Sequence, residues 1–278
     1  MNQKPNEAYL LHDVLRQVSR SFYLTLSVLP SSVSRQVGLA YLFARAADTI
    51  ADTGRVDRSA RVMFLQQFKL QFIRESLNWD EISAIQMAIT SQQSQRGERK
   101  LFEQLESCFQ IYEKFDRKDQ EEIRQVLPTL ISGMEMDLDF FRGESKAQLA
   151  ALGTMADLET YTYRVAGCVG EFWTNLTCAH LPGVRRHWDR EQKIRIGIRF
   201  GKGLQLTNIL KDLPKDLRRG RCYIPVEMLE SVGLEPRDLL DKENISKFNP
   251  ILKQLVEVAL EHLDQGWVYA MSIPRWEI

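Results

Sequence analysis

Apolar residues recur every three or four positions along most of the chain, which is the spacing of one face of an α-helix. Over residues 9–18 the apolar positions are Leu10, Leu11, Val14, Leu15 and Val18, a pattern that predicts an amphipathic helix. Over residues 37–50 the apolar residues are denser, which indicates a helix buried on most sides. No alternating apolar and polar run and no Asn-Gly or Asp-Gly pair favours a β-hairpin. The pattern therefore predicts an all-α protein.

The same periodicity predicts eight further helices, over residues 59–77, 79–91, 100–114, 118–141, 157–180, 190–213, 225–232 and 249–272. We expect Pro30 to begin the helix that contains residues 37–50 and Gly54 to end it. No low-complexity linker divides the chain, so a single all-α domain over residues 1–278 is the simplest interpretation.

Composition narrows the classes of function. The 278 residues include 37 Lys and Arg and 37 Asp and Glu, and a net charge of zero argues against a nucleic-acid-binding protein. Four Cys without a CxxC pair and only four His make a zinc site a poor interpretation. We expect four reduced, mostly buried thiols in a reducing compartment. The sequence shows no signal peptide and no apolar run long enough to span a membrane.

Two pairs of aspartates are the strongest chemical signal. Asp48 and Asp52 lie four positions apart, as do Asp212 and Asp216, so each pair shares one face of a helix. Most such pairs are solvated acids at a helix surface. The first pair, however, follows a mostly apolar stretch, where two like charges are unfavourable without a cation. Facing each other, the two pairs would hold Mg²⁺, which usually shares its ligands with a phosphate group.

A polar stripe precedes the second aspartate pair. Gln205, Asn208 and Asp212 follow three- and four-residue steps on an otherwise apolar helix, and such a stripe needs polar partners. We expect Pro214 to kink or end this helix before Asp216. A solvated helix end is the competing interpretation.

Basic and hydroxyl residues complete the candidate site. Arg221 closes the run Arg218-Arg219-Gly-Arg221, and arginine suits bidentate binding of phosphate. Ser19, Arg20 and Ser21 offer two hydroxyls and a cation, although a helix cap and a surface charge explain them equally well. Further along, Tyr161 precedes an apolar helix that contains Gly167 and Gly170, which allow close packing of a helix or close approach of a ligand.

Together these segments closely resemble the squalene/phytoene synthase family, the head-to-head branch of the trans-isoprenyl diphosphate synthases. The resemblance spans positions 19–225 and rests on five segments: Ser19-Arg20-Ser21-Phe22, Tyr41-Leu-Phe-Ala-Arg45-Ala-Ala-Asp48-Thr-Ile-Ala-Asp52, Gly133-Met-Glu-Met-Asp137, Tyr161-Thr-Tyr-Arg-Val165-Ala-Gly167 and Gln205-Leu-Thr-Asn208-Ile-Leu-Lys211-Asp212-Leu-Pro-Lys-Asp216-Leu-Arg-Arg-Gly-Arg221-Cys-Tyr223-Ile-Pro225. It implies a single isoprenoid-synthase-type helical bundle around a central apolar cavity, with both aspartate motifs at its mouth.

The resemblance also implies roles for residues. It implies Mg²⁺ bound by Asp48, Asp52, Asn208, Asp212 and Asp216. It implies diphosphate contacts from Ser19, Arg20, Ser21, Tyr41, Arg45, Gln205, Lys211 and Arg221, and it places the Tyr161 hydroxyl near the reacting carbons. The implied reaction ionises an allylic diphosphate, whose cation is attacked by the double bond of a second prenyl chain to give a cyclopropyl intermediate.

Within the family, the stretches 165–173 and 218–225 look most like bacterial squalene synthases. That implies two farnesyl diphosphates, presqualene diphosphate as intermediate, reduction by NADPH to squalene, and a place in sterol or hopanoid biosynthesis. Two alternatives stay open. The first is a phytoene or dehydrosqualene synthase, which needs no NADPH, and the second is a non-catalytic helical protein that binds a partner.

Three departures from the family pattern matter. Lys211 stands where arginine is common, Pro214 lies inside the second aspartate motif, and the chain stops at Ile278, earlier than family members usually end. We therefore expect a sequence that lacks its last helices. We also expect a cytoplasmic protein without a transmembrane segment. The apolar product that the resemblance implies suggests peripheral contact with a membrane.

Overall fold

A computed structural model describes residues 6–19, 22–143 and 145–274. Over these residues the chain forms fourteen α-helices: α1 Leu15–Ser19, α2 Phe22–Ser27, α3 Ser31–Asp52, α4 Arg58–Leu70, α5 Trp79–Gln92, α6 Arg96–Glu103, α7 Leu105–Tyr112, α8 Arg117–Phe140, α9 Met155–Thr162, α10 Cys168–His180, α11 Pro182–His187, α12 Arg190–Arg218, α13 Val226–Glu230 and α14 Ile245–Met271. Two π-helical segments, Tyr9–Val14 and Tyr163–Gly167, and three 3₁₀ turns accompany them. The all-α prediction is confirmed.

Side-chain caps fix several helix starts. Asp57, Asn78, Thr154 and Asp189 each accept a hydrogen bond from a backbone N–H in the first turn of the helix that follows, which satisfies a donor that the helix itself leaves unpaired. Pro30 precedes α3, as predicted. Within the described ranges, no helix is both long and apolar enough to cross a lipid bilayer.

The chain divides into two compact units. The first consists of Met1–Glu135, Asn175–His187 and Pro274–Ile278, and the second of Met136–Thr174 and Trp188–Ile273. The single domain over residues 1–278 stays a prediction. The first aspartate pair belongs to the first unit, and the second pair belongs to the second unit.

An aromatic cluster holds the first unit together. Phe43 on α3 is fully buried and contacts Phe68, Phe72, Phe109 and Tyr112, with ring centroids 4.7–6.2 Å apart. Edge-on and tilted contacts at these separations add to the free energy that burial contributes. The cluster therefore fixes α3, the helix that carries the first aspartate pair, against α4 and α7. This confirms that residues 37–50 form a helix buried on most sides.

Glycines let the helices of the second unit approach closely. A Cβ atom on Gly170 would lie 2.0 Å from the carbonyl oxygen of Gly197, and one on Gly201 would lie 2.4 Å from the carbonyl oxygen of Ala166. These glycines therefore bring α10 and the π-helical segment against α12. Of the two interpretations of Gly170, close helix packing is the one observed.

Pro214 does not end its helix, so the expectation that the helix ends before Asp216 is wrong, while a kink at Pro214 stays a prediction. Helix α12 continues through Asp216 to Arg218. On the buried face of α12, Leu213 and Leu217 are 8% and 3% exposed. Pro214, which lies between them in the sequence, is exposed. Burial of these leucines offsets the hydrogen bond that proline removes. Pro250 likewise lies inside α14, which begins at Ile245 rather than near residue 249.

Other boundaries also differ from the sequence prediction. The helix predicted over residues 59–77 ends at Leu70, the one over 100–114 is two helices that meet at Gln104, and the one over 157–180 contains the π-helical segment. The four cysteines are buried and free, as expected. Burial raises the pKa of Cys108 to about 12, so this thiol stays neutral.

One short strand pair was not predicted from the sequence. Strand β1 (Ala150–Ala151) pairs in parallel with β2 (Arg221–Cys222) in the second unit. Gly220, just before β2, has a φ of 82°, and a Cβ atom there would lie 2.7 Å from the carbonyl oxygen of Ser145. Two-residue strands are too short to leave a periodic signal, yet this pair fixes the backbone beside Arg221.

Candidate active site

The first aspartate pair lies at the end of α3. The Asp48 carboxylate accepts a hydrogen bond from Nη1 of Arg45 at 2.7 Å, and its side chain is 45% exposed. Asp52, the last residue of the helix, is exposed. The predicted spacing therefore places both carboxylates on α3, with a cation of the same helix already bonded to one of them.

Arg45 is shared between two acids. Its Nη2 donates to Glu98, a buried residue of α6. Burial lowers the pKa of Arg45, but Asp48 and Glu98 more than offset this, so that the pKa lies above its ordinary value. Within the part of the chain that the structure describes, the buried Nε of Arg45 has no hydrogen-bond partner. Tyr41, one turn earlier on α3, is half-buried.

The segment predicted to bind diphosphate before α2 is only partly described. Ser19 is buried, and its hydroxyl donates to the carbonyl oxygen of Leu15 at 2.6 Å. Arg20 and Ser21 lie outside the described residues. The hydroxyl of Ser19 is therefore directed back into α1.

The second aspartate pair lies on α12 with the polar stripe. Asp212 and Asp216 are half-buried, as is Gln205, while Asn208 is exposed. Lys211 donates to the side-chain oxygen of Asn208 at 3.2 Å and lies 3.9 Å from the Asp212 carboxylate. All five residues share one uninterrupted helix because Pro214 does not break it.

Negative charge on this pair is not fully compensated. Burial raises the pKa of Asp216, and repulsion from Asp212 raises it further, against the opposing effect of Arg221 and Lys215. A carboxyl group that is harder to ionise than usual beside a second carboxylate favours a bound cation. The second pair therefore fits a metal ion better than it fits a solvated helix end.

A hydrogen-bonded network lies within electrostatic reach of Asp216. Asp137 on α8 accepts from Nη1 of Arg221 and from the hydroxyl of Tyr223, both at 2.6 Å. The rings of Tyr223 and Tyr161 stack with centroids 4.9 Å apart. The structure thus brings together Tyr161 and Arg221, two predicted site residues, through Asp137 and Tyr223, for which no role was predicted.

Both phenols of the network stay protonated. Burial, followed by the negative charge of Asp137, raises the pKa of Tyr161 well above its usual value, and the same causes raise the pKa of Tyr223. Tyr161 is only 7% exposed. Each hydroxyl therefore acts as a hydrogen-bond donor rather than as a base.

Sequence reasoning missed Glu98, Asp137 and Tyr223 as partners of site residues. Their contacts join positions 53, 84 and 86 residues apart, and no local pattern encodes such pairs. The π-helical turn Tyr163–Gly167 was also missed. It begins directly after Thr162, two residues from Tyr161 in the sequence. π-turns inside helices are frequent at functional sites.

The donor atoms of each pair fit Mg²⁺ that is shared with a diphosphate. Among the described residues, no three side chains of His, Cys, Asp or Glu gather closely enough to hold a metal ion by themselves. Mg²⁺, however, is commonly bound through one or two carboxylates together with phosphate oxygens and water. Two carboxylates on each helix match that requirement. The assignment of individual ligands stays a prediction.

Comparison with known proteins decides the family. A family model described as squalene/phytoene synthase matches residues 15–277. The chain belongs to this family. The resemblance inferred from the five sequence segments is therefore confirmed.

Relatives within the family carry different names. The chain is 27% identical over 88% of its length to a bifunctional lycopene cyclase/phytoene synthase of Pyrenophora tritici-repentis, of which it covers 39%. It is 31% identical over 87% of its length to a presqualene diphosphate synthase of Rhodopseudomonas palustris, of which it covers 71%. The chain thus spans about two fifths of the bifunctional relatives.

A solved structure shows the same fold. The solved structure of TcSQS with the ligand BPH1237 superposes with a TM-score of 0.72 at 22% identity, covering 96% of this chain and 72% of that one. At this level of identity the likeness establishes the fold. The expectation of an isoprenoid-synthase-type all-α fold is confirmed.

Proposed function

We propose that the chain is a prenyltransferase that joins two isoprenyl diphosphates head to head, with farnesyl diphosphate as substrate and presqualene diphosphate as intermediate on the way to squalene. The observation that carries the proposal is the polar face of the second unit. There Asp212 and Asp216 lie one turn apart on α12, within electrostatic reach of the network of Arg221, Asp137, Tyr223 and Tyr161. Membership of the squalene/phytoene synthase family supports it.

The residues have separate tasks in this proposal. Asp48 and Asp52 on α3, and Asn208, Asp212 and Asp216 on α12, would hold Mg²⁺, which supplies positive charge to the departing pyrophosphate when bound. Arg45, Lys211, Arg221 and Gln205 would bind and orient diphosphate oxygens, with the arginines able to bind in a bidentate manner. Arg20 and Ser21 keep the same proposed task.

Tyr161 acts as a donor in the proposal. Because burial keeps its hydroxyl protonated, Tyr161 would donate a hydrogen bond toward the pyrophosphate or the reacting carbons rather than remove a proton. Its low exposure also means that little water reaches the hydroxyl. Exclusion of water protects a carbocation from capture.

The use of NADPH rests on the family resemblance alone. In the described residues, the one strand pair has two residues per strand, which does not fit a βαβ dinucleotide unit. The name of the relative from Rhodopseudomonas palustris favours a second candidate, an enzyme that releases presqualene diphosphate as its product.

Product analysis tests the proposal. The protein would be incubated with Mg²⁺ and either farnesyl or geranylgeranyl diphosphate, each with and without NADPH. We expect squalene from farnesyl diphosphate only when NADPH is present. Presqualene diphosphate under both conditions would select the second candidate, and phytoene from the C20 substrate would select a phytoene synthase. Absence of pyrophosphate release from both substrates would overturn the proposal and favour a non-catalytic protein.

A further inference from the structure

The Asp137 carboxylate accepts hydrogen bonds from two residues of the second unit, Arg221 and Tyr223, and each of these residues begins one arm of a branched network. The residue lies near the end of α8, and its side chain is 14% exposed. Oδ2 accepts from Nη1 of Arg221, and Oδ1 accepts from the hydroxyl of Tyr223. Each carboxylate oxygen therefore serves a different arm, at distances typical of charge-assisted hydrogen bonds.

The arm through Arg221 is held by its backbone. The N–H of Ala150 donates to the carbonyl oxygen of Gly220 at 3.0 Å, and that of Leu152 donates to the carbonyl oxygen of Cys222 at 3.1 Å. These two bonds flank Arg221. Because its backbone is fixed, the remaining freedom of Arg221 lies in its long side chain, which Asp137 constrains at the guanidinium.

The arm through Tyr223 is held by aromatic packing. Its ring packs edge-on against Phe141 at 5.0 Å and stacks on Tyr161 at 4.9 Å. Phe141 comes four residues after Asp137 and directly follows α8, so the chain at this end of the helix supplies both the carboxylate and one neighbouring ring. The position of Tyr223, and with it the direction of its hydroxyl, depends on this end of α8.

The direction of the hydrogen bonds follows from the carboxylate. With Arg221 as its partner, Asp137 carries a carboxylate, which can only accept. The Tyr223 hydroxyl must therefore donate to Asp137, and this bond holds the ring on which Tyr161 stacks. Asp137 thus acts on the position of Tyr161 through the ring of Tyr223.

We propose that Asp137 is a positioning residue that fixes the Arg221 guanidinium and, through Tyr223, the Tyr161 hydroxyl at the same time. The inference rests on the proposed function. It adds that the cation for the diphosphate and the hydroxyl near the reacting carbons are set by one carboxylate. A change at Asp137 disturbs both, whereas a change at Tyr223 disturbs only the hydroxyl.

Two substitutions separate the arms. Asp137→Asn preserves shape, but its amide nitrogen can only donate. The amide oxygen can still accept from Arg221, and the amide nitrogen then faces Tyr223, whose hydroxyl must reverse its hydrogen bond. Tyr223→Phe removes the hydroxyl and leaves the bond between Asp137 and Arg221 in place. Asp139→Asn, at an exposed position of the same helix, is the matched control.

The test measures catalysis and binding separately. Steady-state release of pyrophosphate from farnesyl diphosphate gives kcat and KM, and calorimetry gives the affinity for inorganic pyrophosphate with Mg²⁺. For Asp137→Asn we expect kcat to fall about 100-fold and pyrophosphate affinity about tenfold, because it disturbs a charged contact and an oriented donor. For Tyr223→Phe we expect kcat to fall about tenfold with pyrophosphate affinity within about twofold of wild type. The control should match wild type.

Several outcomes would overturn the inference. The inference fails if Asp137→Asn matches wild type in both kcat and pyrophosphate affinity. It also fails if Tyr223→Phe loses as much pyrophosphate affinity as Asp137→Asn. Far-ultraviolet circular dichroism and a thermal melt check folding, and if Asp137→Asn does not fold, the split between kcat and affinity in Tyr223→Phe decides. If wild type itself releases no pyrophosphate, the proposed function fails, while the calorimetric comparison still tests the contact with Arg221.

Discussion

The two aspartate helices have the same spacing but different charge balance. On α3, Asp48 is bonded at 2.7 Å to Arg45 of the same helix. On α12, the cation of the same helix near Asp212 is Lys211, which lies 3.9 Å away with a side chain that is 64% exposed. Arg221, whose charge opposes the rise in the pKa of Asp216, directs a guanidinium nitrogen to Asp137.

Two aspartates four positions apart can therefore be compensated by nearby positive charge to different degrees. The first pair is partly neutralised by an internal cation, which Glu98 holds in place. The second pair repels itself, since burial and Asp212 raise the pKa of Asp216. In the proposed enzyme the second pair should therefore depend more strongly on metal for its own stability, while the first pair must exchange a cation when metal binds.

The largest expected effect comes from removing one carboxylate from either pair. We expect Asp52→Ala and Asp216→Ala each to reduce pyrophosphate release from farnesyl diphosphate by about 100-fold or more, because a Mg²⁺ ligand that stabilises the leaving group is lost. Asp264→Ala, an exposed aspartate on α14, serves as control. Normal turnover in either site variant would mean that its helix takes no part in catalysis.

A medium effect is expected from substitution of Glu98, the acid that binds Arg45 beside the first pair. Glu98→Gln removes one of two acidic partners of Arg45, so Arg45 should hold Asp48 more tightly and compete better with metal. We expect the Mg²⁺ concentration for half-maximal activity to rise about fivefold, or about 1 kcal/mol. A Mg²⁺ titration of activity measures this, with Glu103→Gln on the same helix as the exposed control. An unchanged titration curve would show that Glu98 does not act through Arg45.

The smallest effect concerns the stability of the metal-free protein. Asp212→Asn removes the repulsion on Asp216 and should stabilise the fold at pH 7 by about 0.5 kcal/mol, or about 1–2 °C in Tm. Since the folded-state pKa of Asp216 is raised, its carboxylate opposes folding as pH rises through that pKa. Below it Asp216 is protonated, and the gain from Asp212→Asn should disappear.

Thermal melts with EDTA at pH 7 and at pH 3 measure this difference. Asp264→Asn is the control, because it removes the same charge at an exposed position. A variant that is less stable than wild type at pH 7 without metal would contradict the claim that the second pair repels itself.

Sequence periodicity predicted the helices well but not the contacts between them. The burial of α3 and the starts of α5 and α12 follow from local patterns and caps, and both aspartate pairs lie on helices as expected. The helix does not end at Pro214, because the packing of Leu213 and Leu217 outweighs the intrinsic preference of proline.

The candidate site was only partly predictable for the same reason. The aspartates, Arg45, Tyr161 and Arg221 were predicted from their residue types, their spacing and the family resemblance. Glu98, Asp137 and Tyr223 were not assigned a role, because what defines them is a partner more than 50 residues away. Those contacts depend on how helices and strands pack, which a single sequence does not encode locally.

The most direct test of the central claim is the dependence of pyrophosphate release on Mg²⁺ in the wild-type protein with farnesyl diphosphate. The account predicts no release in EDTA and a saturable increase as Mg²⁺ is added. Release at the same rate with and without EDTA would contradict it, because the two aspartate pairs would then have no metal-dependent part in the departure of pyrophosphate.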